Sequence, residues 1–101
     1  MAIVAVSLSP VGVGTSVSAY VAQALAVLEG QSRIRYELGS MFTTLEGPLP
    51  EVFELIQQMQ EAIFAAGASR VGTVIKVDER RDREASMEDK LASVRAALAN
   101  R

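Results

Sequence analysis

No cysteine, histidine or tryptophan occurs among the 101 residues of this chain. Without cysteine there is no disulfide framework, thiolate nucleophile or Cys-type zinc site. Without histidine, the commonest metal ligand and the usual proton shuttle near neutral pH are also missing. Aromatic residues make up only 5%, too few for the exposed pairs with which RNA-binding sheets stack bases. Charge of either sign is absent from residues 1–28, and all 22 charged side chains lie from Glu29 onwards. A net charge of −2 gives no bulk attraction to nucleic acid or to an anionic membrane. Carboxylates, hydroxyls, Tyr, Lys and Arg remain, a set that suits a binding protein better than a catalyst.

The neutral start raises export and membrane insertion as alternatives. Ala24-Leu25-Ala26 resembles a cleavage site, but no basic segment precedes it. Ser9, Pro10, Gly12, Gly14, Thr15 and Ser16 interrupt the apolar stretch, so no membrane span is expected. The expected location is cytoplasmic, and a neutral stretch that stays inside is most simply buried. The length suits one domain over residues 1–101 and is short for two cores.

Ala2 to Leu8 is β-branched-rich and reads as a strand stopped at Ser9-Pro10. Val4, Val6 and Leu8 share one of its faces; Ile3, Ala5 and Ser7 share the other. Pro10 to Ser16 reads as a Gly-rich loop, followed by a helix capped by Thr15 or Ser16 with Val17, Val21, Ala24 and Leu28 in register and a stop at Gly30. Arg33–Leu38 and Met41–Glu46 read as a hairpin turning at Gly39-Ser40. Val52, Ile56, Met59 and Ile63 mark the next helix, closed by Gly67, and Val71–Val77 alternates as a last strand. Ser86 caps a final helix, residues 86–99, carrying Met87, Leu91, Val94 and Leu98 on one stripe. The order β-α-β-β-α-β is that of a ferredoxin-like α+β sandwich: a four-stranded antiparallel sheet with two helices on one face.

Such a fold leaves one sheet face without helices. Alternation assigns to it Ile3, Ala5, Ser7, Gly72, Val74 and Lys76, flanked by Arg35, Glu37, Thr44 and Glu46. Its small apolar centre predicts self-association through this face as a dimer or tetramer. The last helix would cover an edge or a neighbouring subunit.

Three stretches carry polar detail beyond the needs of folding. Pro10–Ser18 offers hydroxyls and backbone N–H groups at a helix start, able to hold a polar ligand edge or simply to cap the helix. Met41–Gly47 combines a hydroxyl and a carboxylate with Met and Phe, a set suited to a flat amine-bearing heterocycle; the plain alternative is a strand with Glu46 paired to Arg35. Asp78–Glu84 mixes both signs and reads as a solvated loop or an ion-pair rim between subunits, not as a nucleic-acid site.

The ordered set Pro10-x-Gly12…Ser16-x-Ser18-x-Tyr20, Tyr36-x-Leu38…Met41-x-Thr43-x-x-Glu46-Gly47 and Arg70-Val71…Ile75-Lys76-Val77-Asp78-x-Arg80…Lys90…Ser93 resembles the small thiamine-binding protein family related to YkoF over nearly the whole chain. The resemblance implies a ferredoxin-like subunit in dimers and tetramers that binds thiamine or its hydroxymethylpyrimidine part, without catalysis. Carried over by position, it nominates Ser16, Ser18, Met41, Thr43 and Glu46. Glu37 joins them as a neighbouring carboxylate, and Phe42 as an apolar wall standing where similar proteins have glycine. Glu46 would accept from the aminopyrimidine or balance the thiazolium, while the hydroxyls bind ring nitrogens. Neither a metal nor a cofactor beyond this ligand is expected. Two rivals remain: a structural or regulatory homo-oligomer without a small-molecule ligand, and an acylphosphatase-like hydrolase, which would need a cationic cradle that the first loop does not supply.

Overall fold

β1 (Ala2–Pro10) runs through the interior of a four-stranded sheet in the computed structural model, which describes residues 1–84 and 86–101. It is followed by α1 (Ser18–Glu29), β2 (Arg35–Leu38), β3 (Thr43–Gly47), α2 (Leu49–Ala65), β4 (Val71–Glu79) and α3 (Met87–Ala99). The strands lie in the order β2-β3-β1-β4 and every pairing is antiparallel. This is the expected ferredoxin-like α+β topology, with a helix added after β4. No helix among the described residues is long and apolar enough to cross a membrane.

Alternation along β1 sets the two faces. Val4, Val6 and Leu8 are buried beneath Ala24 and Leu28 of α1 and Val52, Ile56, Met59 and Ile63 of α2, with Leu45 of β3 fully enclosed beside them. The stripe expected for α2 is the stripe that is buried. Ile3, Ala5 and Ser7 face the other way. There the register aligns two rows across all four strands: Arg35–Glu46–Ile3–Asp78 and Glu37–Thr44–Ala5–Lys76.

Several boundaries differ from the sequence expectation. β1 does not stop at Leu8 but pairs with β4 as far as Pro10↔Val71. Its pairing with β3 has already ended at Val6↔Thr43, so no strand on that side requires the N–H that proline lacks. Neither Thr15 nor Ser16 caps α1. The N-cap is Val17, without a side-chain bond, and its carbonyl accepts from the Tyr20 and Val21 N–H groups. Gly12 and Gly14 both take positive φ, which prolongs the loop before the helix begins. β3 begins at Thr43, leaving Met41 and Phe42 in the hairpin loop. Gly39 is required there, because a Cβ would stand 2.4 Å from the Phe42 carbonyl oxygen.

Ser86 does cap α3, in a reciprocal box with Asp89. The first turn of the helix sits on the open sheet face. Glu88 takes a bidentate grip on Arg35 of β2, and Lys90 pairs with Asp78 of β4, so the turn is tied to both edge strands. Met87 is buried between them, but every later residue of α3 is exposed. The helix therefore projects: the molecule measures 48 × 28 × 19 Å, with a radius of gyration of 15.2 Å, against about 13 Å for a compact chain of this length.

Arg35 also reaches Glu46, at 3.2 Å, and Glu46 is buried with its Oε2 lacking any hydrogen bond. A buried carboxylate without a cation is strongly unfavourable. Arg35→Met is expected to lower the melting temperature by several degrees in a circular-dichroism melt, and adding Glu46→Gln to recover part of the loss. No recovery would mean that Arg35 acts through α3 alone.

Candidate functional site: a neutral cavity beside the β2–β3 hairpin

The hairpin loop Gly39–Phe42 overhangs the helix-covered face of the sheet where β1 and β3 part company. A cavity of about 280 Å³ opens beneath it. Its floor is Val6 and Leu8 of β1 with Thr43 of β3; α1 supplies Val21, Ala24 and Leu25, α2 supplies Met59, and the loop supplies Ser40 and Met41. Small-molecule pockets run from about 300 to 1,000 Å³, so this one is at the size of a single ring. Among the described residues, no charged side chain borders it. The polar edges come from Ser40 of the loop and from Thr43, itself buried, while the thioethers of Met41 and Met59 offer soft, polarizable walls. Met41 is 78% exposed and stands at the mouth.

Of the seven nominated residues, the structure brings Met41 and Thr43 together in this cavity. Phe42 is in the same loop and half exposed but does not line it. Ser16 and Ser18 are exposed on the loop before α1 and at its first residue, outside the cavity lining. Glu37 and Glu46 lie on the opposite face of the sheet from Thr43, because strand alternation turns positions 43 and 46 to opposite sides. The Arg35–Glu46 pair is the plain alternative weighed for that carboxylate, and it is present. Ser40, Met59 and the α1 residues were not nominated from the sequence. Met59 in particular reads as a core stripe position, and only the sheet geometry shows that it also borders the cavity.

The open face holds a second cavity of similar size, about 280 Å³, over Ile3, Ala5 and Thr44 and walled by Met87 and Leu91 of α3. This one is charged, with Glu37, Asp78, Lys76 and Lys90 around it. The Lys90 ammonium holds the Asp78 carboxyl below its ordinary range, and the Arg35 guanidinium does the same for Glu88. A neutral cavity and a charged one under a helix thus occupy opposite sides of one sheet.

The family described as "Thiamine-binding protein" matches residues 4–95. The chain belongs to that family. Among its relatives, UPF0045 protein YqgV of Bacillus subtilis is 44% identical over 97% of this chain and 98% of its own. The crystal structure of MJ1052, a hypothetical protein of Methanocaldococcus jannaschii, superposes with a TM-score of 0.84 at 33% identity, covering 92% of this chain and 94% of that one. A Thermotoga maritima structure, described as a candidate thiamine biosynthesis/salvage protein, shares the fold at a TM-score of 0.79 and 17% identity, over 92% and 97% of the two chains.

Both carboxylates that tie α3 down have depressed pKa values in the folded state. Their contribution is therefore fully present above the ordinary carboxylate range and is lost as pH falls through it, from about 4 downwards. Amide protection in α3 is expected to fall between pH 5 and pH 3 in hydrogen exchange corrected for intrinsic rates, while that of α2 persists. Parallel loss in both helices would show that α3 has no separate acid-sensitive attachment.

Proposed function

We propose that this protein binds thiamine or its hydroxymethylpyrimidine portion without transforming it, and that it does so as a homo-oligomer. The neutral cavity under the β2–β3 hairpin carries the reading. A substituted pyrimidine is flat, neutral and rimmed with hydrogen-bonding nitrogens. Thioethers in the wall with hydroxyls at the edge suit it, and the cavity is of single-ring size. The cationic thiazolium has no carboxylate to meet inside, so it stays at the mouth beside exposed Met41, where water solvates it. Membership of a family named for binding thiamine supports the ligand class.

A second reading keeps the ligand and moves it. The open-face cavity contains Thr44 and the carboxylates Glu37 and Asp78, the groups a thiazolium or an exocyclic amine would seek. Lys76 and Lys90 at the same place oppose a cation, and for that reason we favour the neutral cavity. Self-association has less of the open face available than alternation alone suggests. The first turn of α3 takes the Ile3–Asp78 end, leaving Ser7, Gly72 and Val74 for another copy.

Titration calorimetry with thiamine on the wild type and on Thr43→Val tests the site. Loss of one neutral hydrogen bond costs about 0.5–1.5 kcal/mol, so binding is expected to weaken roughly 3- to 10-fold. Met41→Ala should weaken it as well, and Glu37→Gln should leave it unchanged. The reverse pattern would place the ligand on the open face. No heat from the wild type at millimolar thiamine would leave the structural oligomer without a small-molecule ligand as the better account.

A further inference from the structure

We infer that the cavity between the open sheet face and α3 binds a small, extended zwitterion, with its ammonium end towards β2 and its carboxylate end towards β4. This is a second site, on the side of the sheet away from the neutral cavity. One row of the register crosses it, Glu37–Thr44–Ala5–Lys76, and all four residues line it. The outer two belong to the edge strands, three strand spacings apart, or about 14 Å between Cα atoms. Among the described residues neither Glu37 nor Lys76 takes part in an ion pair.

The charges around the cavity are sorted by end. At the β4 end Lys76 and Lys90 stand with the single acid Asp78, and Asp78 is paired to Lys90. One positive charge is left over there, on Lys76. At the β2 end Glu37, Glu46 and Glu88 surround the single cation Arg35, whose guanidinium is taken up by Glu46 and Glu88. The excess at that end is negative, and Glu37 carries the part of it that borders the cavity. The cavity is therefore polarised along the row. A lone cation is repelled at one end and a lone anion at the other, whereas a molecule carrying both charges is attracted at each. A single surplus positive charge matches a carboxylate rather than a phosphate monoester with its near-double charge.

Between the two ends the surface is apolar. Ile3 and Ala5 form the floor, and Met87 and Leu91 of α3 supply a wall. Leu91 is 46% exposed, so apolar surface remains for a ligand to cover. A polymethylene middle suits this stretch, and a volume of about 280 Å³ admits a short chain rather than a large ligand. The Thr44 hydroxyl lies in the row next to Glu37, where it can accept from the ammonium.

The probe is ε-aminocaproate, whose charges lie roughly 7 Å apart when extended. Titrated into isotope-labelled protein and followed by NMR, it is expected to shift the signals of Ala5, Thr44 and Leu91. Exposed charges are screened, so Glu37→Gln and Lys76→Gln are each expected to weaken it about three- to fivefold. The two variants have opposite effects on ligands that carry one charge. Glu37→Gln should tighten caproate, and Lys76→Gln should tighten pentylamine, because each removes a repulsion. Intermolecular NOEs are expected from the methylene beside the amine to the Thr44 methyl, and from the one beside the carboxylate to the Ala5 methyl. The reverse NOE pattern would overturn the assigned direction. Equal affinity for all three compounds, or no shift at tens of millimolar probe, would overturn the site. Saturating thiamine is expected to leave the probe's affinity unchanged, and competition between them would overturn a separate site. Probe binding by a protein that gives no heat with thiamine would leave this inference standing and sink the proposed function alone.

Discussion

The register of β1 is the constraint on which the rest depends. It is paired on both sides, to β3 through Ala2–Val6 and to β4 through Ala2–Pro10, so neither neighbour can slip without disturbing the other. Because successive side chains point to opposite faces, fixing that register fixes the exposure of every residue across the sheet. Val4 and Val6 draw Leu45 and Thr43 to the helix side, while Ile3 and Ala5 place Glu46, Thr44, Asp78 and Lys76 on the other. A slip of one residue would bury the charged rows beneath α1 and α2 and expose the valines. The absence of charge in the first 28 residues is thus the chemistry of a paired strand and of a helix that lies over it.

What distinguishes this chain from a bare two-layer sandwich is the attachment of α3, and a single arginine links that attachment to the sheet. Arg35 is the only cation near buried Glu46 in the described ion pairs, and it also takes both carboxylate oxygens of Glu88. The same guanidinium therefore neutralises a buried acid on β3 and docks a helix some forty residues further along the chain. The planar fork suits this double role, where a lysine ammonium would have to choose a partner. Lys90 and Asp78 supply the matching tie on the opposite edge. Only one turn is held, and the remainder of the helix is presented outward.

Much of this was legible in the sequence because the signals were periodic. Four strands and three helical stripes follow from where apolar residues recur, and Ser86 with Asp89 three residues later announces a capped helix start. The open-face residues were assigned correctly by alternation alone, Arg35 beside Glu46 included. What could not be read was set by tertiary geometry. The ends of β1 depend on which neighbour is still present at Pro10, and two glycines with positive φ prolong the loop before α1, so Thr15 and Ser16, which look like caps, lie outside the helix start. Met41 has strand-like neighbours, yet Gly39 allows so tight an approach of Phe42 that the strand starts only at Thr43. For the candidate site, Met41 and Thr43 were visible as a pair because they are adjacent in one loop-to-strand step. Met59 was not, since a residue that is core along its helix and a wall at one point of its surface gives no separate signal.

The split between the two faces also sharpens what each can do. Cavities that exclude charge select ligands by shape and hydrogen-bond pattern, since no ion inside repays the desolvation of another. The cavity under the hairpin is of this kind, lined by apolar side chains, thioethers and hydroxyls. On the open face Arg35 pairs with Glu46 and with Glu88 of α3, and Asp78 pairs with Lys90 of α3. The absence of histidine and cysteine is then consistent along both faces. One presents hydroxyls and thioethers, the other carboxylates and cations.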